Sequence, residues 1–507
     1  MIEQILAGLL SVLTPESLGA IALGIFTGLM FGAIPGISGI MAISILLPLT
    51  FYVSPLVGIP MLLGIYKASM FGGSITAILL NTPGAPPAVC TAMDGYPLAR
   101  QGKAGKALNA ALTGSVFGDT FSNILLICVA APLSYLTLKI GPVEQFTLIL
   151  LALTVVGSIS GRSLLKGMSC AGFGLLLATV GVSATTGDIR FTFGHDELVS
   201  GIALIPMVIG LLCLPEVIHQ ARAGIRRQVL AKIDLRGENG RLTWPEFRRN
   251  LPLLFRSSII GSIIGALPGP GVTPAAYMAY SEAQRTSKTP EKFGKGMVEG
   301  VLAPEAANNA VTGSAMIPML TLGVPGDGAT AILMGAFMLH GMVPGPSLFA
   351  EQGNILYAIM LGLLVVNVFM YIVGTGLTRF YAHITRIPYE ILAPIVLTFC
   401  IAGSYSTNNR IYDIYIILIF GIVSYFLRRM GFQLVPVLLG IVLGPLAEKN
   451  FRRAMVISEG SFSIFFTRPI SCAFILIAIV SVAIFGIRNY KSRKLAKQNT
   501  AETSERK

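Results

Sequence analysis

A chain of 507 residues with 53% hydrophobic and 12% charged residues lies far from a soluble domain, in which about 25% of residues are charged. Its formal net charge of +13 does not indicate nucleic acid, because the basic residues sit mostly in loops and the tail, where the positive-inside rule places them. Apolar segments of about 17 residues or more recur along nearly the whole length, each long enough to cross a bilayer, so the expected class is an all-α polytopic membrane protein.

Fifty-six Gly and 29 Pro fit that class, since both are commoner in membrane helices than in soluble ones. Cys90, Cys128, Cys170, Cys213, Cys400 and Cys472 are scattered without metal-ligand or redox spacing and read as small core residues. The start, Met1-Ile2-Glu3-Gln4, lacks a basic n-region, so no cleavable signal peptide is expected.

In chain order, the first strong segment spans 17–36. Gly24, Gly28, Gly32 and Gly36 recur at every fourth position and give one helix face bare backbone for close packing. Ser38 and Gly39 begin the next segment, which runs to about Leu49. Residues 57–83 are interrupted and predict a re-entrant hairpin or a broken helix. Their last part, Phe71 to Gly84, carries Gly72-Gly73-Ser74 and ends in Asn81-Thr82-Pro83-Gly84. A helix here must stop near Thr82, because the residue before Pro is pushed out of the α region and Gly84 permits a left-handed turn. Lipid cannot satisfy the freed backbone groups, so such a stop belongs in protein or beside a polar cavity. A polar loop, Asp94 to Lys103, is expected next, then segments near 107–138, 143–160, 164–184 and 198–218.

Residues 219–250 are the clearest break. Arg222, Arg226, Arg227, Lys232, Arg236, Arg241, Arg248 and Arg249 place this linker in the cytoplasm. Later segments lie near 251–280, 300–325, 328–349, 354–376, 388–405, 411–428, 431–447 and 468–487, and the basic tail after Arg488 is expected to be cytoplasmic and disordered. The expected division is a first membrane repeat at 1–218, the linker at 219–250, a second repeat at 251–450, a C-terminal segment at 451–487 and a tail at 488–507.

Three correspondences support two repeats, which we expect to be inverted. Gly28-x3-Gly32-Ala33-Ile34-Pro35-Gly36 returns at Gly261-x3-Gly265-Ala266-Leu267-Pro268-Gly269, a step of 233 residues. Ile78 to Gly84 returns at Leu320 to Gly326, a step of 242. Pro206-x3-Gly210-x4-Pro215 returns at Pro436-x3-Gly440-x4-Pro445, a step of 230. Paired Gly/Pro-interrupted segments in corresponding positions of two halves point to a transporter site, where two opposed breaks hold an anion and a coupling cation.

The substrate-binding candidates are therefore Gly72, Gly73, Ser74, Asn81, Thr82, Pro83 and Gly84 in the first half, and Gly323, Pro325 and Gly326 in the second. Glu305, Asn308 and Asn309 share one helix face, and with Ser38 they are the ion-coupling candidates; an acid in an apolar segment is a functional residue by default. Lys67 and Asp119 also interrupt apolar stretches, Lys67 as a counter-charge for an anion. Arg100, Lys103 and Lys106 read as a solvated loop. None of the four His has metal-ligand spacing, no Walker, HExxH or G-x-S-x-G motif indicates an enzyme, and no cofactor beyond Na⁺ or H⁺ is expected.

These motifs, with Asp94-Gly95-Tyr96-Pro97, Phe293-Gly294-Lys295-Gly296, Glu299-Gly300-Val301, Pro304-Glu305-Ala306-Ala307-Asn308-Asn309-Ala310, Leu322 to Gly326 and His340-Gly341-x2-Pro344-Gly345-Pro346, resemble the large membrane subunit of the tripartite tricarboxylate transporters. The resemblance runs from about residue 17 to about 455. It implies a bacterial inner-membrane secondary transporter of carboxylates, tri-, di- or aromatic, driven by Na⁺ or H⁺. It also implies a small four-helix membrane subunit and a periplasmic binding protein as partners. The alternative is a channel or a structural membrane subunit without coupled transport. Phe71 stands where the family usually has Tyr, and Ala85 where it often has an acid; both bear on the substrate.

Overall fold

The computed structural model describes residues 10–34, 38–138, 140–159, 163–183, 186–223, 240–384 and 389–483. Pro35, Gly36, most of the basic linker and the tail after Arg488 lie outside the described residues. Packing forms two compact units. One holds Met1–Thr137 and Leu204–Tyr425, the other Leu138–Ala203 and Phe426–Lys507.

The first unit opens with α1 (Pro15–Gly32), α2 (Gly39–Thr50), α3 (Pro55–Leu80), α4 (Ala88–Leu98) and α5 (Ala104–Thr137). Thr14 caps α1 by accepting from the Ser17 N–H, and Pro15 fills a first-turn position where no N–H is needed. The glycine stripe of α1 then does what its spacing predicts. A Cβ on Gly28 would stand 2.8 Å from the Ile65 Cα, and one on Gly32 2.9 Å from the Ser69 Cα, so the α1 backbone lies directly on α3.

After α8 (Leu204–Val208) and α9 (Leu214–Ala223), the same device recurs between α10 (Trp244–Ala266) and a later helix, α12 (Glu299–Ser314). There a Cβ on Gly261 would stand 2.8 Å from the Ala307 Cα, and one on Gly265 2.9 Å from the Val311 Cα. Between them lies α11 (Val272–Thr286), and beyond them come α13 (Met316–Leu322), α14 (Gly328–Leu339), α15 (Leu348–Ile384), α16 (Tyr389–Asn408) and α17 (Ile411–Arg429).

The second unit contains α6 (Pro142–Ile159), α7 (Leu164–Leu177) and α18 (Val435–Ile457), and a two-residue antiparallel ladder between β1 (Gly181–Val182) and β2 (Ile189–Arg190). Among the described residues, five helices are long and apolar enough to cross a membrane.

Three segments differ from the sequence expectation. Residues 57–83 do not form a hairpin or a broken helix: α3 runs unbroken from Pro55 to Leu80 and is buried almost throughout. Gly72 and Gly73 serve close approach rather than a break, since added Cβ atoms would meet Leu29 O at 2.8 Å and the Ala85 Cβ at 2.9 Å. The stretch from Asp94 to Lys103 is a solvated loop only in part: Arg100, Gln101, Gly102 and Lys103 are exposed. It is the end of α4 and a π turn at Ala99–Lys103, with Asp94 fully buried. The small β ladder in the second unit was not legible at all, because two residues per strand carry no alternation.

The linker rejoins the described chain at α10, where Thr243 and Glu246 form a capping box. Lys106 pairs with Glu246 at 2.5 Å. Burial pushes the Glu246 carboxyl up, but hydrogen bonds from Lys106 and Thr243 outweigh it and hold the group below the usual carboxylate range. A carboxyl depressed in the folded state contributes stability above its ordinary pKa and loses it as pH falls through the lowered value. Glu246→Gln is therefore expected to flatten the acid limb of a stability–pH curve between those two values. An unchanged acid limb would exclude this contribution.

Candidate functional site

In both Pro-Gly stretches the helix stops at a left-handed residue two positions before the proline, so the left-handed turn expected at Gly84 falls on Asn81 instead. α3 ends at Asn81, with φ 53°, and α13 ends at Gly323, with φ 69°. After each, the next residue turns back on the helix it left: Thr82 N–H donates to Thr76 O at 3.3 Å and Val324 N–H to Pro318 O at 3.2 Å. Glycine is needed at the second residue of each Pro-Gly pair. A Cβ on Gly84 would stand 2.9 Å from the Gly73 Cα, and one on Gly326 2.9 Å from the Ala315 Cβ. Asn81 is solvent-exposed, and Thr82, Pro83 and Gly84 are half-buried. The second turn, by contrast, is buried at Gly323, Val324, Pro325 and Gly326, and Asp327 after it is half-buried.

The turns differ in the residue that follows. Asp327 stands after Pro325-Gly326, where Ala85 stands after Pro83-Gly84. Asp327 caps α14 by accepting from the Thr330 N–H at 2.8 Å, and Tyr66 of α3 donates its hydroxyl to Asp327 Oδ2 at 2.7 Å. Reciprocally, Glu305 of α12 reaches across to the first turn's helices. It accepts from Ser74 of α3, from Thr91 of α4 at 2.5 Å and from Ser115 of α5 at 2.7 Å. Each break is thus tied to a helix belonging with the other.

Glu305 is fully buried, and its oxygens are occupied by three hydroxyl donors, which suits an acceptor-only carboxylate. The Ser74 hydroxyl proton is therefore engaged by Glu305. Its neighbours Asn308 and Asn309 are buried too, yet both amide atoms of Asn308 and the Asn309 Oδ1 have no hydrogen-bond partner among the described residues. The Asn309 Nδ2 donates back to Glu305 O at 3.1 Å. Three uncommitted polar atoms on one buried helix face cost free energy unless a ligand takes them. Ser38 lies elsewhere, as the cap of α2, accepting from the Met41 N–H at 3.2 Å.

Lys67 and Asp119, both wholly buried, form an ion pair between α3 and α5. Asn123 accepts from Lys67 at 2.9 Å, and Thr312 of α12 donates to Asp119 at 2.7 Å. The pair therefore locks three helices together, and Lys67 is not a free counter-charge. The sequence reading missed Thr91, Ser115, Thr312 and Asp327 as partners. Only Asp327 had a visible signal, an acid directly after a Pro-Gly pair.

Asp94 explains two further motifs. Its Oδ1 accepts the N–H groups of Gly294, Gly296 and Met297 at 2.8–2.9 Å, and its Oδ2 accepts from Tyr280 at 2.8 Å. It thus anchors the Phe293–Gly296 turn that leads into α12. Asp94→Ala would leave four donors unpaired, each costing about 1–3 kcal/mol. A loss of folded protein is expected in a detergent unfolding series, with Asp94→Asn milder because it keeps one acceptor oxygen. Wild-type stability of Asp94→Ala would remove Asp94 from this role.

Residues 18–439 match the profile of the "Tripartite tricarboxylate transporter TctA family". The chain is 39% identical over 494 residues to an uncharacterized 52.8 kDa protein in the TAR-I ttuC' 3' region of Agrobacterium vitis, covering 97% of this chain and 98% of that protein. It is 38% identical over 234 residues to an uncharacterized protein in the TAR-II ttuC' 3' region of the same organism, covering 46% of this chain and 97% of that protein. No solved structure matches the chain. The glycine-packed helices, the two Pro-Gly turns and the profile match over most of the length carry one conclusion: the chain belongs to the tripartite tricarboxylate transporter TctA family.

Proposed function

We propose that this subunit is the large membrane component of a secondary active transporter that imports an organic carboxylate, tri-, di- or aromatic, across the bacterial inner membrane. A periplasmic binding protein delivers the substrate, and a small four-helix membrane subunit completes the complex. The observation that carries the reading is the pair of helix stops with left-handed Asn81 and Gly323, each tied across to a helix of the other, together with the three unpartnered amide atoms of Asn308 and Asn309 on the buried face of α12.

The first turn, with exposed Asn81 and no acid after it, receives the carboxylate through the Asn81 side-chain amide, since the Thr82 and Gly84 N–H groups already donate to Thr76 O and Gly73 O. The second, followed by Asp327, lies on the cation side with Gly323, Pro325 and Gly326. Asn308 and Asn309 offer neutral oxygen ligands, which suit Na⁺ better than a proton. The paired contacts of α1 with α3 and of α10 with α12 favour two related halves, 1–218 and 251–450, joined by the cytoplasmic linker 219–250. In this reading 451–487 is a further membrane segment and 488–507 a cytoplasmic tail.

The test is reconstitution. Saturable carboxylate uptake is expected only when the membrane subunits and the loaded binding protein are present together. Saturable uptake by this chain alone would refute the partner requirement, and non-saturating flux would favour the channel alternative.

A further inference from the structure

We propose that the basic cavity beneath α10 and α11 binds the phosphate headgroup of an anionic phospholipid of the cytoplasmic leaflet. The cavity holds about 540 Å³. Lys103, Lys106, Arg249, Arg256, Lys288 and Lys292 line it, and Glu299 is the acid among its lining residues. Lys106 is paired with Glu246, and Arg256 lies 4.0 Å from Glu282. No ion pair is formed by Lys103, Arg249, Lys288 or Lys292 among the described residues.

The six cations come from the π turn before α5, from α5, from α10 and from the segment after α11, so folding assembles the charge rather than a local run of sequence. Converging like charges repel one another unless an anion joins them, and a concave wall focuses their field. Part of the wall is apolar, with Leu98, Leu253, Met297 and Val298.

The exposed apolar residues along α10 favour lipid over a free anion. Trp244 at the start of α10 is 70% exposed and stacks on Phe247, with ring centroids 5.4 Å apart. Such an aromatic pair marks the membrane interface. Further along α10, Phe255, Ile259 and Ile263 are exposed and apolar, as a lipid-facing stripe requires. Arg249 sits between the two along α10. A phosphate could also arrive as free inorganic phosphate, which shares the charge but gains nothing from the apolar wall. Basic pockets between helices on the cytoplasmic side are suited to multiply charged headgroups.

The experiment measures binding of cardiolipin and of phosphatidylcholine to the detergent-purified full chain by native mass spectrometry. Cardiolipin retention above phosphatidylcholine is expected. The triple variant Arg249→Gln/Lys288→Gln/Lys292→Gln is expected to weaken it by about fivefold per charge removed. A control that removes three charges elsewhere, Arg429→Gln/Lys449→Gln/Arg453→Gln, should leave it unchanged. Equal loss in both triples would show only a net-charge effect and overturn the site. Displacement of cardiolipin by inorganic phosphate at equal concentration would overturn the lipid assignment. The unfolding midpoint of the first triple separates a folding defect from lost binding: the proposal requires a folded variant with lost retention, and full retention by that variant refutes it.

Discussion

Lys67→Met or Asp119→Leu alone is expected to destabilise the protein by about 3–5 kcal/mol, because each leaves an uncompensated charge at a fully buried site. The double variant Lys67→Met/Asp119→Leu should recover most of the loss, since replacing both ions by apolar groups of similar volume is often neutral. Recovery should be incomplete. Asn123 and Thr312 would then lose their bonds to Lys67 and Asp119. Unfolding midpoints in a graded SDS series give the three values. Single variants as stable as wild type would mean that the pair does not hold α3, α5 and α12 together.

The second large effect separates binding from stability at Asn308. As a packing residue, Asn308 is a liability, since both amide atoms are buried without partners. Asn308→Leu should therefore leave stability unchanged or raise it. On the proposal that Asn308 is an ion ligand, the same variant should raise the Na⁺ concentration needed for uptake by more than about tenfold, on the scale seen when metal-site partners are lost. Glu305→Gln should behave in the opposite way. It keeps an oxygen for part of the Ser74, Thr91 and Ser115 cluster, so substantial uptake should survive, with some loss of stability. Normal Na⁺ dependence in Asn308→Leu would remove Asn308 from the ion site.

Much of the architecture was legible because it rests on local rules. The α1 glycine stripe announced backbone contact, and the Asn81–Gly84 stretch announced a helix stop, although the left-handed residue is Asn81 and not Gly84. What stayed hidden depended on residues far apart in sequence. The packing role of Gly72-Gly73 shows only once α1 is seen lying on the first and Ala85 against the second. Asp94 reads as a loop residue until the Gly294–Met297 turn is folded onto it. The hydrogen bond from Ser74 to Glu305, 231 residues away, has no signal in the sequence. Spacing gives the face of a helix but not the helix that will cover it, so polar partners across helices were the least predictable part of the site.

The most direct measurement is carboxylate uptake into proteoliposomes that hold both membrane subunits, with loaded binding protein outside, at one fixed pH. Saturable uptake that follows an inward Na⁺ gradient, ceases when Na⁺ is replaced, and survives Glu305→Gln is the expected result. Uptake driven by a pH gradient in Na⁺-free medium, and abolished by Glu305→Gln, would contradict it and make the Glu305 carboxylate the coupling site.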